Sequence, residues 1–255
     1  MEADPTQRFS PRVEDYLRYR PGYPDALVDW LQVSQGVEAR ATVADIGAGT
    51  GLSTRLFLDH GHPVIAVEPN DEMRQALSRD LAARPGLQVA AGRGEATGLA
   101  DANIDLISCA TAFHWLEPGP TRVEWARILR PGGLACVYWN ARVPALSAFL
   151  QGYEDLLHRY GTDYSQVAER RPDDPAMQAW FGAGYRGMAE FPNPHWLDFA
   201  GLYGRVRSSS SAPPPDHPDH AKMREALQRL FDDNAQQGRV RFDYLTRAFV
   251  GTLSR

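Results

Sequence analysis

Between residues 41 and 140 short apolar runs alternate with longer amphipathic ones, and this alternation limits the fold more than any other feature of the chain. "ATVADIG" (41–47) reads as a strand and "LSTRLFLDHG" (52–61) as its helix; "PVIAVEP" (63–69) and "DEMRQALSRDLAARPG" (71–86) repeat the pair. "LQVAAG" (87–92) is a third strand, and "IDLISCATAFHWL" (104–116) contains a fourth. "TRVEWARILRPGG" (121–133) is a helix stopped by Pro131 and Gly132, and "LACVYWN" (134–140) is a fifth strand. Strands joined through crossover helices run parallel, and a parallel sheet is covered by helices on both faces. The pattern therefore predicts an α/β, Rossmann-like architecture.

The flanks read differently. Residues 8–33 form an N-terminal helical cap, interrupted at "YRPGYP" (19–24) and resumed by "DALVDWLQV" (25–33). After residue 140 the alternation stops, and 141–195 is read as a helical substrate lid broken by "RRPDDP" and "FGAGYRG". The segment 196–255 is expected to complete the sheet: a strand and short helix over 196–210, a helix over 222–236, and a last strand over 239–251 lying antiparallel at an edge. The whole of 1–255 is taken as one domain.

Composition excludes several classes. The 255 residues are 43% hydrophobic and 23% charged, with a formal net charge of -5, so the basic footprint of a nucleic-acid binder is missing. The arginines at 8, 12, 18 and 20 are read as a solvated helix face. No apolar run approaches the roughly 20 residues that span a bilayer. The polar opening "MEADPTQRFSPRVEDY" is unlike a signal peptide, and a cytoplasmic location is expected. Cys109 and Cys136 sit in apolar runs and are read as reduced core thiols. "DHGH" and "DHPDH" occur in turns broken by glycine or proline, so no metal site is expected. A G-x-S-x-G nucleophile turn does not occur.

The chemistry is concentrated in "VADIGAGTG" (43–51). A glycine turn between a strand and a helix lets a ligand approach backbone N–H groups at the positive end of the helix. A dinucleotide reader spaces its glycines G-x-G-x-x-G, whereas this turn is G-x-G-x-G with Leu52 at the sixth position. Asp45 just ahead of the turn would repel a pyrophosphate but attract a cationic ligand. S-adenosylmethionine (SAM) is such a ligand, with an ammonium beside a sulfonium. Glu68 ends the second strand, where an acid can accept both hydroxyls of an adenosine ribose.

With these residues in view, the chain resembles class I SAM-dependent methyltransferases of the small-molecule type 11 group. "VADIGAGTG" and "IAVEPNDEM" resemble the group's first two motifs; "GRGEATGLADANIDLISCATAFHW" resembles the adenine-side loop and fourth strand, and "ILRPGGLACVYWN" the following helix and fifth strand. The opening "FSPRVEDYLRYRPGYP" and the closing "DHPDH…FDYLTRAFVG" extend the likeness over nearly the whole chain. The resemblance implies a seven-stranded, mostly parallel sheet with the last strand reversed, and SAM as cofactor with S-adenosylhomocysteine as product. It implies that Gly47, Ala48, Gly49, Thr50 and Gly51 line the methionine and ribose, with Asp45 near the amino group and Glu68 on the ribose. Pro69, Asn70 and Met73 would border the adenine, and Gly94, Glu95 and Ala96 would frame its edge. Ala110 and Thr111 would face the sulfonium, and Tyr16 and Arg20 would fold over the cofactor. Arg93 stands where relatives often carry a small or acidic residue, which leaves the adenine amino group to Glu95 or to a backbone carbonyl.

For the acceptor, His114 just past the fourth strand is the candidate base, because imidazole transfers protons near neutrality. Tyr19, His114, Trp115, Trp139 and Tyr153 are the candidate acceptor contacts. The density of aromatics at Tyr138, Trp139, Phe149, Tyr153, Trp180, Phe181, Tyr185 and Trp196 points to an apolar or aromatic small molecule. Ser211 in "RSSSSAP" stands where relatives often carry a tyrosine. The alternatives are a SAM-binding protein without turnover and an NAD(P)-dependent oxidoreductase.

Overall fold

The computed structural model describes residues 13–165 and 172–254. Of the expected solvated arginine face, Arg8 and Arg12 lie outside them, Arg18 is exposed, and Arg20 is not solvated but turns its buried Nε inward. Nine strands are described: β1 (Val43–Ile46), β2 (Val64–Val67), β3 (Leu87–Ala90), β4 (Ile104–Ala110), β5 (Leu129–Arg142), β6 (Tyr185–Pro192), β7 (His195–Leu197), β8 (Val240–Phe242) and β9 (Tyr244–Gly251). Seven of them form one sheet in the order β3-β2-β1-β4-β5-β9-β6. The pairs from β3 through β5 are parallel, while β9 is antiparallel to both neighbours. The expected seven-stranded Rossmann-like sheet with one reversed strand is therefore present.

Two expectations about its far side are corrected. β9 is not the edge: it lies between β5 and β6, and its buried run Ala248–Gly251 has strands on both sides. The single strand expected over 239–251 is divided, because β8 leaves the large sheet to pair with β7. The supposed lid also contains the real edge. After helices α6 (Ala148–Tyr160) and α7 (Asp174–Phe181), residues Tyr185–Pro192 extend and pair with β9.

Strand periodicity sorts the core onto two faces. Along β5, Leu134, Cys136 and Tyr138 join one apolar cluster, while Ala135, Val137 and Trp139 join the other. The first cluster is roofed by Leu27, Val28 and Leu31 of α2 (Ala26–Gln35) and by Leu56 and Phe57 of α3 (Leu52–Asp59). The second is covered by Trp125 and Ile128 of α5 (Pro118–Ile128) and by Phe181 of α7. Cys109 and Cys136 are buried free thiols that belong to opposite clusters. A third cluster joins α6, α8 (Phe199–Arg207), α9 (His220–Asn234) and the small β7–β8 pair into a separate cap. Among the described residues no helix is long and apolar enough to cross a membrane.

Candidate active site

The carboxyl ends of parallel strands all open on one side of the sheet, which is where α/β folds bind ligands. A cavity of about 1140 Å³, measured out to its open mouth, lies there. Its floor is the glycine turn. Gly47 (φ +68°) and Gly49 (φ +56°) are in left-handed conformations, and both line the cavity. A Cβ on Gly47 would come 2.5 Å from Ala112 Cβ, so that glycine permits a close approach to the turn after β4. A Cβ on Gly49 would meet nothing within 4 Å, leaving a backbone cradle that only a ligand can fill.

Glu68, at the end of β2, is 7% exposed. Its Oε2 accepts from Gly49 N at 2.9 Å and its Oε1 from Asn70 N at 2.9 Å. Burial pushes its carboxyl above the ordinary range, against the pull of those two N–H groups. Each oxygen keeps a lone pair for a further donor. Asn70 also caps α4 (Asp71–Asp80) by accepting from Met73 N at 2.9 Å, which fixes Met73 beside it in the lining.

Asp45 differs from expectation. It is completely buried beneath the turn, accepting from Thr54 Oγ1 at 2.6 Å and from Ser108 Oγ at 3.0 Å, and does not line the cavity. Ser108 continues to Tyr138 OH at 2.9 Å, and Tyr138 meets Ser53. Burial raises the Asp45 carboxyl, with hydrogen bonds from Thr54, Ser53 and Ser108 opposing. These hydrogen bonds tie β1, β4, β5 and α3 together under the turn.

Comparison with known proteins decides the family. Residues 44–137 match the type 11 methyltransferase domain model. An uncharacterised methyltransferase of Mycobacterium tuberculosis is 38% identical over 139 residues, 54% of this chain and 54% of that protein. An uncharacterised methyltransferase-like protein of Schizosaccharomyces pombe is 30% identical over 173 residues, 68% of this chain and 62% of that protein. The chain thus spans only about half to three-fifths of these relatives' length. A solved structure of a proposed type II methyltransferase from Anaeromyxobacter dehalogenans superposes with a TM-score of 0.70, covering 92% of this chain and 99% of that one at 21% identity. Residues 44–137 thus carry a type 11 methyltransferase domain.

Around the cavity the remaining candidates separate into three groups. Tyr16, Arg20, Ala110, Thr111, His114 and Trp115 line the same cavity as Glu68. Thr111 holds the left-handed conformation (φ +58°), unusual for a β-branched residue, and its Oγ1 bonds Tyr23 OH at 2.9 Å. The His114 and Trp115 rings lie 4.6 Å apart. Around the adenine-side loop, Gly94, Glu95 and Ala96 are one layer back. Leu116, which does line the cavity, packs over Gly94; Glu95 accepts from Glu117 N at 2.9 Å, and Ala96 bridges to Arg93. Ala48, Thr50, Gly51 and Pro69 shape the turns without lining the space, Gly51 packing on Leu77 and Leu81.

The acceptor contacts expected from aromatic density are corrected. Tyr19 packs on Gly204 of α8, outside the cavity. Tyr153 and Phe149 fill the cap core, while Trp139 stacks on Phe249 at 5.3 Å and borders only a small side cavity with Thr111 and His114. These rings lie at the buried positions of strands and helices, so core packing takes them. In their place the cavity presents Arg20, Arg142 and Arg205, with Tyr164 and Ser209–Ser211. Of these, the sequence had flagged Arg20 and Ser211. Arg205 had a signal: it lies three residues after Leu202, on the buried face of α8. Arg142 is the last residue of β5, at the carboxyl end of that strand.

Proposed function

We propose that the chain transfers the sulfonium methyl of S-adenosylmethionine to a small-molecule acceptor, with S-adenosylhomocysteine as product. The observation that carries this reading is Glu68: a carboxylate braced by two backbone N–H groups, opening into the cavity that the bare Gly49 cradle also faces. That donor set fits an adenosyl group, since Glu68 would accept the ribose hydroxyls. The Gly47–Gly49 backbone would hold the amino-acid end, and Met73 and Leu116 would enclose the base. Arg20 fits its carboxylate: the buried Nε has no hydrogen-bond partner, and the guanidinium lies over the Tyr16 ring at 4.8 Å.

Bound there, the donor supplies a methyl carbon whose bonding pair stays on sulfur when a lone pair of the acceptor displaces it. The protein's contribution is chiefly to align the two reactants, an effect that reaches about 7–11 kcal/mol at best. Thr111, fixed by Tyr23, and Ala110 form the wall where the fourth strand ends. His114 in the same lining would take the proton of a hydroxyl or amine acceptor, worth typically 10²–10⁴-fold. A carboxylate oxygen would need no such help.

Calorimetry with SAM and S-adenosylhomocysteine, followed by labelled-methyl transfer to an acceptor panel, tests the proposal. Saturable binding of both with label passing to an acceptor is the expected result. Binding without transfer to any acceptor would leave a SAM-binding protein without turnover, and binding of NAD with no affinity for SAM would overturn the reading.

A further inference from the structure

The cavity holds more positive charge than the fold itself uses. Arg20, Arg142 and Arg205 all line it. They come from three separate places in the chain, yet Arg20 Nη2 donates to Ser208 O at 2.8 Å while Arg205 Nη1 reaches Ser208 Oγ at 3.4 Å. Arg205 is only 6% exposed, and the Arg142 side chain 10%. Burial and the neighbouring Arg205 bring the Arg20 guanidinium down to about 10.

A structural explanation accounts for Arg142, which pairs with Glu154 at 3.1 Å and also meets Tyr164. It does not account for the other two. Among the described residues the hydrogen-bond partners of Arg20 and Arg205 are neutral groups, and neither forms an ion pair with a carboxylate. The fixed partners of Arg205 are the neutral hydroxyls of Tyr244, at 2.8 Å, and Ser208. Burying two like charges side by side without a counter-ion is unfavourable, so a purely packing role would select apolar or paired residues. The SAM carboxylate neutralises one guanidinium at most, which leaves positive charge facing the acceptor.

Resting on the methyl-transfer reading above, we propose that the acceptor is a small carboxylic acid bound as its anion, its carboxylate held by Arg205 with Arg142 alongside. A planar carboxylate matches the two-pronged face of a guanidinium. Backbone phosphate cradles are built from N–H groups at a helix start. The acid end of this cavity instead offers guanidinium groups and the hydroxyls of Ser209–Ser211 and Tyr164, just beyond the carboxyl end of α8. The glycine turn lines the same cavity and, on the methyl-transfer reading, would be taken by the donor.

Isothermal titration of the full chain saturated with S-adenosylhomocysteine tests this, using benzoate, succinate and citrate as carboxylate probes, phenylphosphate as a phosphate probe and phenol as a neutral one. At least one carboxylate is expected to bind at millimolar concentration, more weakly as salt rises, while phenol does not. Arg205→Gln should weaken that carboxylate at least about 30-fold, with donor affinity within about twofold and Arg205→Lys recovering part of the loss. Binding of phenylphosphate alone, equal binding of phenol, no binding of any carboxylate, or an Arg205→Gln variant with unchanged acid affinity would each overturn the proposal. If Arg205→Gln fails to fold, Arg205→Lys and the wild-type probe comparison decide. If S-adenosylhomocysteine itself does not bind, the methyl-transfer reading falls, and the same titrations on the donor-free protein still decide whether the arginine end takes carboxylates.

Discussion

Replacing Glu68 by alanine should reduce SAM affinity by a predictable amount. Each oxygen of this carboxylate already satisfies one backbone N–H, so each retains one direction for a ribose hydroxyl. Hydrogen bonds to a charged group are worth about 1.5–3 kcal/mol each, but two that share one carboxylate at an open cavity are less than additive. A combined loss of about 2–3 kcal/mol corresponds to a Kd raised about 30- to 150-fold. The substitution also strands Gly49 N and Asn70 N, so thermal unfolding without ligand must be measured alongside to separate a collapsed turn from a lost contact. Glu68→Gln refines the test, because its amide nitrogen must face one of two backbone N–H donors. Burial raises the carboxyl, so SAM binding should weaken as pH falls at a higher pH than an ordinary glutamate would give, since protonation removes an acceptor. Calorimetry showing Glu68→Ala within about threefold of wild type, with the fold intact, would refute the adenosyl placement.

Further outcomes follow from the same geometry. Gly49→Ala should cost only about 1–2 kcal/mol of stability, because its Cβ meets open space, yet abolish measurable SAM binding; Gly47→Ala should instead lower Tm strongly through the 2.5 Å approach to Ala112. Asp45→Asn, judged by calorimetry, should leave SAM affinity within about threefold, because Asp45 faces Thr54 and Ser108 and not the cavity; a hundredfold loss would restore it as an ammonium contact. His114→Ala should lower kcat on a hydroxyl or amine acceptor about 10²–10⁴-fold with donor Kd unchanged, and unchanged turnover would reduce His114 to a wall. Glu124, bonded to Arg127 and Thr97, is held down to about 2 from 4.5; its stabilisation is complete above pH 4.5 and is lost as pH falls towards 2, a slope that acid-unfolding curves of Glu124→Gln should lack.

The parallel half of the sheet was legible because its signals are local. β1 and β2 are buried runs bounded by glycine, proline or charge, and they and the largely buried β4 each fall inside the span read from the sequence. β6 was lost because Gly184, Gly187 and Pro192 punctuate it, and an edge strand open on one side buries only part of each residue. The alternation over 239–251 concealed a break at Asp243, where the chain passes from one sheet to another. Only the four consecutive buried residues at the end of β9 signalled that this strand is covered on both faces.

The two ends of the site differ in legibility for the same physical reason. The donor end is made by residues adjacent in sequence to a strand end, so residue type and spacing specify it: Gly47, Gly49 and Glu68 are where a strand–turn–helix unit must place them. Direction is harder to read than position. Asp45 lies at the expected place, yet its carboxylate turns to Thr54 and to Ser108, and the latter partner is 63 residues away. The arginine cluster is entirely non-local. Arg20, Arg142 and Arg205 lie on the cap, the end of β5 and a late helix, and nothing in their spacing announces that they meet. Aromatic residues misled because a large ring serves a core as well as a binding site, whereas a buried arginine has little use in a core unless something offsets its charge. A charged side chain on the apolar face of an amphipathic helix, as Arg205 is on α8, is therefore the better sequence guide to the acceptor than the number of rings, and it points to an anion.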